Sequence, residues 1–146
     1  MNTRRAPSRI LLVDDNADDV DLARRALWHC GVPVDLLVAG DGLAALELLA
    51  AAPADDLPDL VLLDLNMPRL GGLELLSRLR AAPDTSLLPV VVLTTSREER
   101  DLREAYRRGA NSYLCKPVVY EEFAAAIRQA VNYWLGLNQP PPPGRD

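Results

Sequence analysis

Cysteine and histidine are scarce in this chain, and the scarcity removes several functions at once. Among 146 residues there are two cysteines, Cys30 and Cys115, without C-x-x-C spacing, and one histidine, His29. That inventory argues against a zinc centre and reads as reduced thiols in a cytoplasmic protein. An excess of positive charge is also missing. The 16 Lys and Arg stand against 21 Asp and Glu, a formal net charge of −5, so no broad attraction to nucleic acid or anionic lipid is expected. No apolar stretch approaches the ~18 residues of a membrane span. Arg4 and Arg5 lie near the start, but no apolar core follows them until the short run at Ile10, so no secretory signal is expected. No internal repeat longer than a strand–helix unit is visible.

What is present is ordinary in amount and ordered in pattern. Hydrophobic residues make up 49% and charged residues 25%, which at this length predicts one soluble domain with its own core. Short runs rich in Val, Leu and Ile at 9–13, 34–39, 59–63 and 89–93, with a weaker one at 110–114, read as strands. Helical spacing fills the intervals: Val20, Ala23, Leu27 and Cys30 in 18–30; Leu43, Leu46, Leu49 and Ala50 in 43–51; Leu73, Leu76 and Leu79 in 73–81; Leu102, Ala105 and Tyr106 in 98–108; Phe123, Ile127, Ala130, Val131 and Trp134 in 119–137. Five strands alternating with five helices predict an α/β fold, a doubly wound five-stranded parallel sheet of order 2-1-3-4-5 in the flavodoxin-like manner. The middle strands are nearly unbroken apolar runs, as strands covered on both faces should be. Gly109 after Arg107-Arg108 reads as a helix C-cap. The expected organisation is a flexible tail at 1–8, the folded domain at 9–137 and a Pro-rich tail at 138–146.

The chemistry gathers at strand ends. Ile10-Leu11-Leu12-Val13 runs into Asp14-Asp15, and Leu60-Val61-Leu62-Leu63 runs into Asp64. In a sheet of this order the chain reverses between the first and third strands, and ligands bind outside the strand carboxyl ends at that crevice. Two carboxylates ~4 Å apart repel by about 4 kcal/mol at an effective dielectric of about 20. Three of them call for protonation or a cation, and an oxygen-only set suits Mg2+ or Mn2+. The fourth and fifth strands add a hydroxyl, Thr94, and an ammonium, Lys116. A carboxylate nucleophile facing a metal, a hydroxyl and an ammonium is the inventory for placing a phosphoryl group on Asp64.

Four segments in order, Val13-Asp14-Asp15-Asn16, Asp64-Leu65-Asn66-Met67-Pro68, Leu93-Thr94 and Tyr113-Leu114-Cys115-Lys116-Pro117, carry a resemblance. Over residues 8–137 the chain resembles a bacterial response-regulator receiver domain. The resemblance implies that Asp64 takes a phosphoryl group from a sensor histidine kinase. It implies Mg2+ held by Asp15, Asp64 and the backbone carbonyl of Asn66, with Asp14 acting largely through water. Lys116 would contact the phosphoryl group, the Lys116-Pro117 bond would be cis, and Thr94 and Tyr113 would form the switch pair. Thr94 rather than Thr95 stands thirty residues after Asp64. The ending Tyr133-Trp134-Leu135-Gly136-Leu137-Asn138-Gln139-Pro140 resembles stand-alone regulators paired with phytochrome-type or other hybrid kinases, from which a downstream phosphotransfer protein is a further expected partner. Tyr133, Trp134, Leu135 and Leu137 also offer more apolar surface than one helix face buries, which predicts a homodimer through the last helix and its extension.

Other readings fit less well. A haloacid-dehalogenase-type phosphatase needs a second Asp two residues after the nucleophile, where this chain has Asn66. A flavin carrier would bring phosphate to Asp14-Asp15-Asn16-Ala17-Asp18-Asp19, which repels it. A calcium loop starting at Asp14 has Asp19 where Gly is needed and Arg25 at the twelfth place. After residue 137 only nine residues remain for a DNA-binding domain. His29 is expected to pack or cap rather than to carry phosphate, and Cys115 to be a half-buried strand thiol. An interaction module that keeps the fold without taking phosphate is the remaining rival.

Overall fold

The four residues Leu60–Leu63 form the middle of the molecule because all of them are covered from both sides. In the computed structural model, which describes residues 7–142, they are strand β3 of a parallel sheet. The others are β1 (Ser8–Val13), β2 (Val34–Ala39), β4 (Val90–Thr94) and β5 (Ser112–Cys115). Their order is β2-β1-β3-β4-β5, as the sequence predicts. The connections are α1 (Ala17–Leu27), α2 (Gly42–Ala51), α3 (Gly72–Ala81), α4 (Glu99–Arg107) and α5 (Tyr120–Asn132). A 3-10 turn at Ala54–Asp56 precedes β3, and a π-helical turn at Tyr133–Leu137 prolongs α5. The parts of the expected tails at 1–6 and 143–146 lie outside the described residues.

Strand alternation splits the core into two layers. Leu11, Val13, Val61, Leu63 and Val92 pack against Ala45, Leu49, Leu75, Leu79 and Ala105, which puts α2, α3 and α4 on one face. Ile10, Leu12, Leu60, Leu62 and Val91 pack against Ala23, Leu27, Phe123, Ile127 and Val131, which puts α1 and α5 on the other. The unbroken apolar runs follow from this double cover.

Two helix faces differ from the predicted ones. In α2 the buried residues are Gly42, Ala45 and Leu49, while Leu43 and Ala50 face water. Nearly every residue of this helix is apolar, so its periodicity marks no face. Contact decides it: the Gly42 N–H donates to the Leu70 carbonyl at 3.0 Å, and a Cβ at Gly42 would lie 2.4 Å from that oxygen. In α4 only Ala105 is buried, with Leu102 and Tyr106 exposed. His29 is likewise exposed, just past the end of α1, instead of packed.

The α4 terminus behaves as read from sequence. Gly109 has φ +107°, its N–H donates to the Tyr106 carbonyl, and the Ala110 N–H donates to Ala105. These are the paired bonds of a Schellman cap. No helix of the described residues is long and apolar enough to cross a membrane.

Candidate functional site

Sheet hydrogen bonds aim the carboxylates. The Asp64 N–H donates to the Val13 carbonyl at 2.9 Å and the Asp14 N–H to Ala39 at 3.0 Å. Val13 pairs with Leu63 in the register of β1 and β3, so the residues that follow, Asp14 and Asp64, leave the sheet side by side. Asp14 and Asp64 are buried and Asp15 is exposed. One ligand oxygen from each of the three lies within 4.8 Å of the others. Asp14 is fixed further by the Asn16 N–H, which donates to its Oδ1 at 2.9 Å.

Lys116 reaches this cluster from the end of β5, with its own N–H bonded to the Thr94 carbonyl at 2.7 Å. Its ammonium donates to Asp14 Oδ2 at 2.8 Å, Asp19 Oδ2 at 2.8 Å and Asp64 Oδ2 at 3.4 Å. Burial alone would depress the Lys116 pKa, but its bonds to Asp14 and Asp19 and the charges of Asp14 and Asp64 outweigh burial and raise it. For Asp14 the balance goes the other way: burial pushes its carboxyl up despite the opposing bonds from Lys116 and Asn16. One cation, Lys116, pairs with Asp14, Asp19 and Asp64, and Asp15 adds a further carboxylate beside Asp14 and Asp64. Converging oxygens with surplus negative charge, one of them open to water, fit a hard divalent cation such as Mg2+ or Mn2+.

The other predicted residues lie at or just beyond the ends of β3, β4 and β5. Thr94 is fully buried at the end of β4, and its Oγ1 accepts the Ser96 N–H at 3.5 Å. The Tyr113 hydroxyl donates to the Ser96 carbonyl at 3.1 Å, and the Cys115 thiol points at the same oxygen at 3.5 Å. Thr94 and Tyr113 therefore meet through one residue of the loop before α4. Burial raises the Tyr113 pKa despite the opposing bond to Ser96. Asn66 is exposed on the loop after β3, with its N–H turned towards Asp64 Oδ1 at 3.4 Å. Pro117 follows Lys116, half-buried, and leads to the exposed Val118. Both cysteines are free and half-buried, as expected of Cys115.

Two participants are absent from the sequence reading. Asp19 was taken only as part of an acidic run, because a helical residue 97 positions from Lys116 carries no local sign of that pairing. Ser96, two residues after Thr94, gives no sign in the sequence that its carbonyl accepts the Tyr113 hydroxyl. A compositional signal for Lys116 does exist: it is the only lysine among the 16 Lys and Arg.

Known proteins resemble the chain along most of its length. Residues 10–128 match the family model of the response regulator receiver domain. The chain is 40% identical over 139 residues to the probable methanogenesis regulatory protein FilR2 of Methanothrix harundinacea, covering 94% of this chain and 90% of that one. The crystal structure of the phosphorylated cyanobacterial phytochrome response regulator RcpA superimposes with a TM-score of 0.87 at 33% identity, covering 94% of this chain and 100% of the other. The Mn(2+)-bound form of response regulator Rcp1 superimposes with a TM-score of 0.84 at 34% identity, covering 93% and 100%; Rcp1 is a protein of a Synechocystis strain.

Proposed function

The chain belongs to the response regulator receiver family of two-component signalling proteins, and on that premise we propose that it accepts a phosphoryl group on Asp64 from a phosphohistidine of a sensor kinase. The observation that carries this reading is the convergence of Asp14, Asp15 and Asp64 beside the ammonium of Lys116. In the transfer, a carboxylate oxygen of Asp64 forms the new bond to phosphorus. The phosphorus–nitrogen bond of the donor breaks and the departing imidazole keeps its electron pair. Lys116 offsets charge on the phosphoryl oxygens, and the Thr94 hydroxyl donates to one of them. Asp14, Asp15, Asp64 and the Asn66 carbonyl would hold Mg2+ or Mn2+, which supplies further neutralising charge when bound.

Signal output follows from the Ser96 link. A Thr94 that moves towards a phosphoryl group pulls the loop whose carbonyl the Tyr113 hydroxyl grips, and so alters the surface around α4 and β5. A cytoplasmic location and a kinase of phytochrome type, with onward transfer to a phosphotransfer protein, complete this reading. A homodimer through α5 and its π-helical extension belongs to it as well. Tyr133 and Leu137 are 46% and 79% exposed there, beside a half-buried Trp134. Trp134 also lines an apolar groove of ≈ 250 Å³ with Leu114, Ala126 and Ala130. Leu137→Glu is expected to lower the mass seen by sedimentation, and a monomeric parent protein would remove the dimer from the proposal.

The test of the acceptor is incubation with acetyl phosphate and Mg2+, followed by intact mass. The parent chain should gain one phosphoryl group and Asp64→Asn none. Labelling of that variant would place the acceptor elsewhere. A parent chain that takes neither phosphoryl nor beryllofluoride would be the non-phosphorylated interaction module.

A further inference from the structure

Asp19 has a role that the acceptor chemistry does not require. It is the third residue of α1, and its N–H is held by Asn16 Oδ1 at 3.0 Å, the cap of that helix. An acidic residue at this place commonly turns back to the N–H of the cap residue. Here that N–H already donates to Asp14 Oδ1. The Asp19 carboxylate instead crosses to Lys116, at 2.8 Å.

A lysine ammonium has three N–H donors, and here they are directed at Asp14, Asp19 and Asp64. For Lys116 to bond a phosphoryl oxygen, one of these partners must yield. Asp14 is 3% exposed as a side chain and held twice, and Asp64 carries the new group. Asp19 is the partner with access to water, its side chain 23% exposed, so solvent can replace Lys116 there with the smallest desolvation penalty. We propose that Asp19 competes with the incoming phosphoryl group for Lys116, and so limits how tightly the site holds that group. This rests on Asp64 being the acceptor. Asp19 is a positioning residue: it acts on the reacting group only through Lys116.

The experiment has two readouts. In the first, the parent chain, Asp19→Asn and Asp18→Asn are titrated with beryllofluoride in Mg2+ by calorimetry, with Asp64→Asn as the blank. Asp19→Asn should bind about fivefold more tightly, the upper range for a part-exposed ion pair. Asp18→Asn removes the same charge from an exposed neighbour and should match the parent. Equal or weaker binding by Asp19→Asn overturns the proposal, as does equal tightening by Asp18→Asn. No binding by the parent chain would instead sink the acceptor reading. The second readout needs no phosphoryl analogue. Lys116 is the only lysine, so its acylation can be followed by peptide mass without interference from other side chains. Asp19→Asn should be acylated there faster than parent or Asp18→Asn, and an unchanged rate shows that Asp19 does not restrain the ammonium. Asp19→Ser, which also removes the carboxylate, tests the same expectation if the amide variant fails to fold.

Discussion

The two ends of the sheet each enclose a cation, and they neutralise it in different ways. At the amino-terminal edge the Arg80 guanidinium is surrounded by carbonyls. Its Nε and Nη2 donate to Gly109 O at 3.0 and 2.8 Å, and its Nη1 to Thr85, Ser86 and Leu88 oxygens, the last at 2.7 Å. Nη2 also meets Asn111 Oδ1 at 2.9 Å, and that oxygen accepts the Val90 N–H. No carboxylate pairs with Arg80 among the described residues, and burial lowers its pKa. At the carboxyl-terminal edge the Lys116 ammonium meets carboxylates instead, and negative charge is left over. The first arrangement is complete by itself and joins α3, β4 and the turn after α4. The second is complete only when further positive charge arrives. Backbone dipoles suit a fixed joint, and surplus carboxylates suit a site that must bind something.

The contrast can be broken first at the amino edge. Arg80→Met should cost about 2–3 kcal/mol, because several carbonyls lose a charged donor. The melting temperature should fall by roughly 5–10 °C, with Mg2+ binding by calorimetry unchanged. Arg80→Lys should recover little, since three donors on a flexible stem cannot copy the planar fork. A wild-type melting curve for Arg80→Met would show that the joint is ornamental.

Gly109→Ala acts on the same joint from the other side. The positive φ and a Cβ 2.8 Å from Arg80 Cγ both oppose it, and a loss of about 1–2 kcal/mol is expected in chemical denaturation.

At the carboxyl edge the sign should reverse. Asp14→Asn removes one charge from a crowded cluster and should stabilise the metal-free protein by about 1 kcal/mol at neutral pH, while abolishing the rise in melting temperature on adding Mg2+. Because burial raises the Asp14 pKa in the fold, folding penalises its ionised form relative to the unfolded chain. The ionisation penalty is absent below the ordinary carboxylate pKa and grows as pH rises through the folded value. The stabilising gain should therefore fade on acidification, and a gain that persists in acid would point to packing instead of charge.

The smallest effect belongs to an ion pair of the same edge that lies outside the cluster. Arg69, at φ 67°, donates to both oxygens of Asp41, the residue that caps α2. The Arg69 guanidinium holds the Asp41 carboxyl below its usual range. Its contribution is present above the ordinary carboxylate pKa and is lost as pH falls through the lowered one. Arg69→Gly removes the pair but relieves the backbone, so melting at neutral pH should barely move, and the acid limb of the melting curve should flatten.

Much of this is legible in the sequence. Unbroken runs such as Val90-Val91-Val92-Leu93 announce covered strands, and the placement of Asp14, Asp15, Asp64, Thr94 and Lys116 after such runs puts them at one edge. The buried face of α2 was not legible, because a helix apolar all round carries no directional signal and only the close approach of Gly42 to Leu70 orients it. Arg80 gives no sign either: apart from the Asn111 amide oxygen its partners are backbone carbonyls, which every sequence has.

The sequence by itself determined which segments are strands and helices and which side chains stand at the strand ends, since these depend on neighbours within a few residues. Only the folded arrangement sets how charge is balanced at each end of the sheet: Asp19 shares Lys116, and carbonyl oxygens surround Arg80. Such pairings join residues as far as 102 positions apart, and electrostatic energy depends on distance through space and on burial, neither of which exists until the sheet has closed.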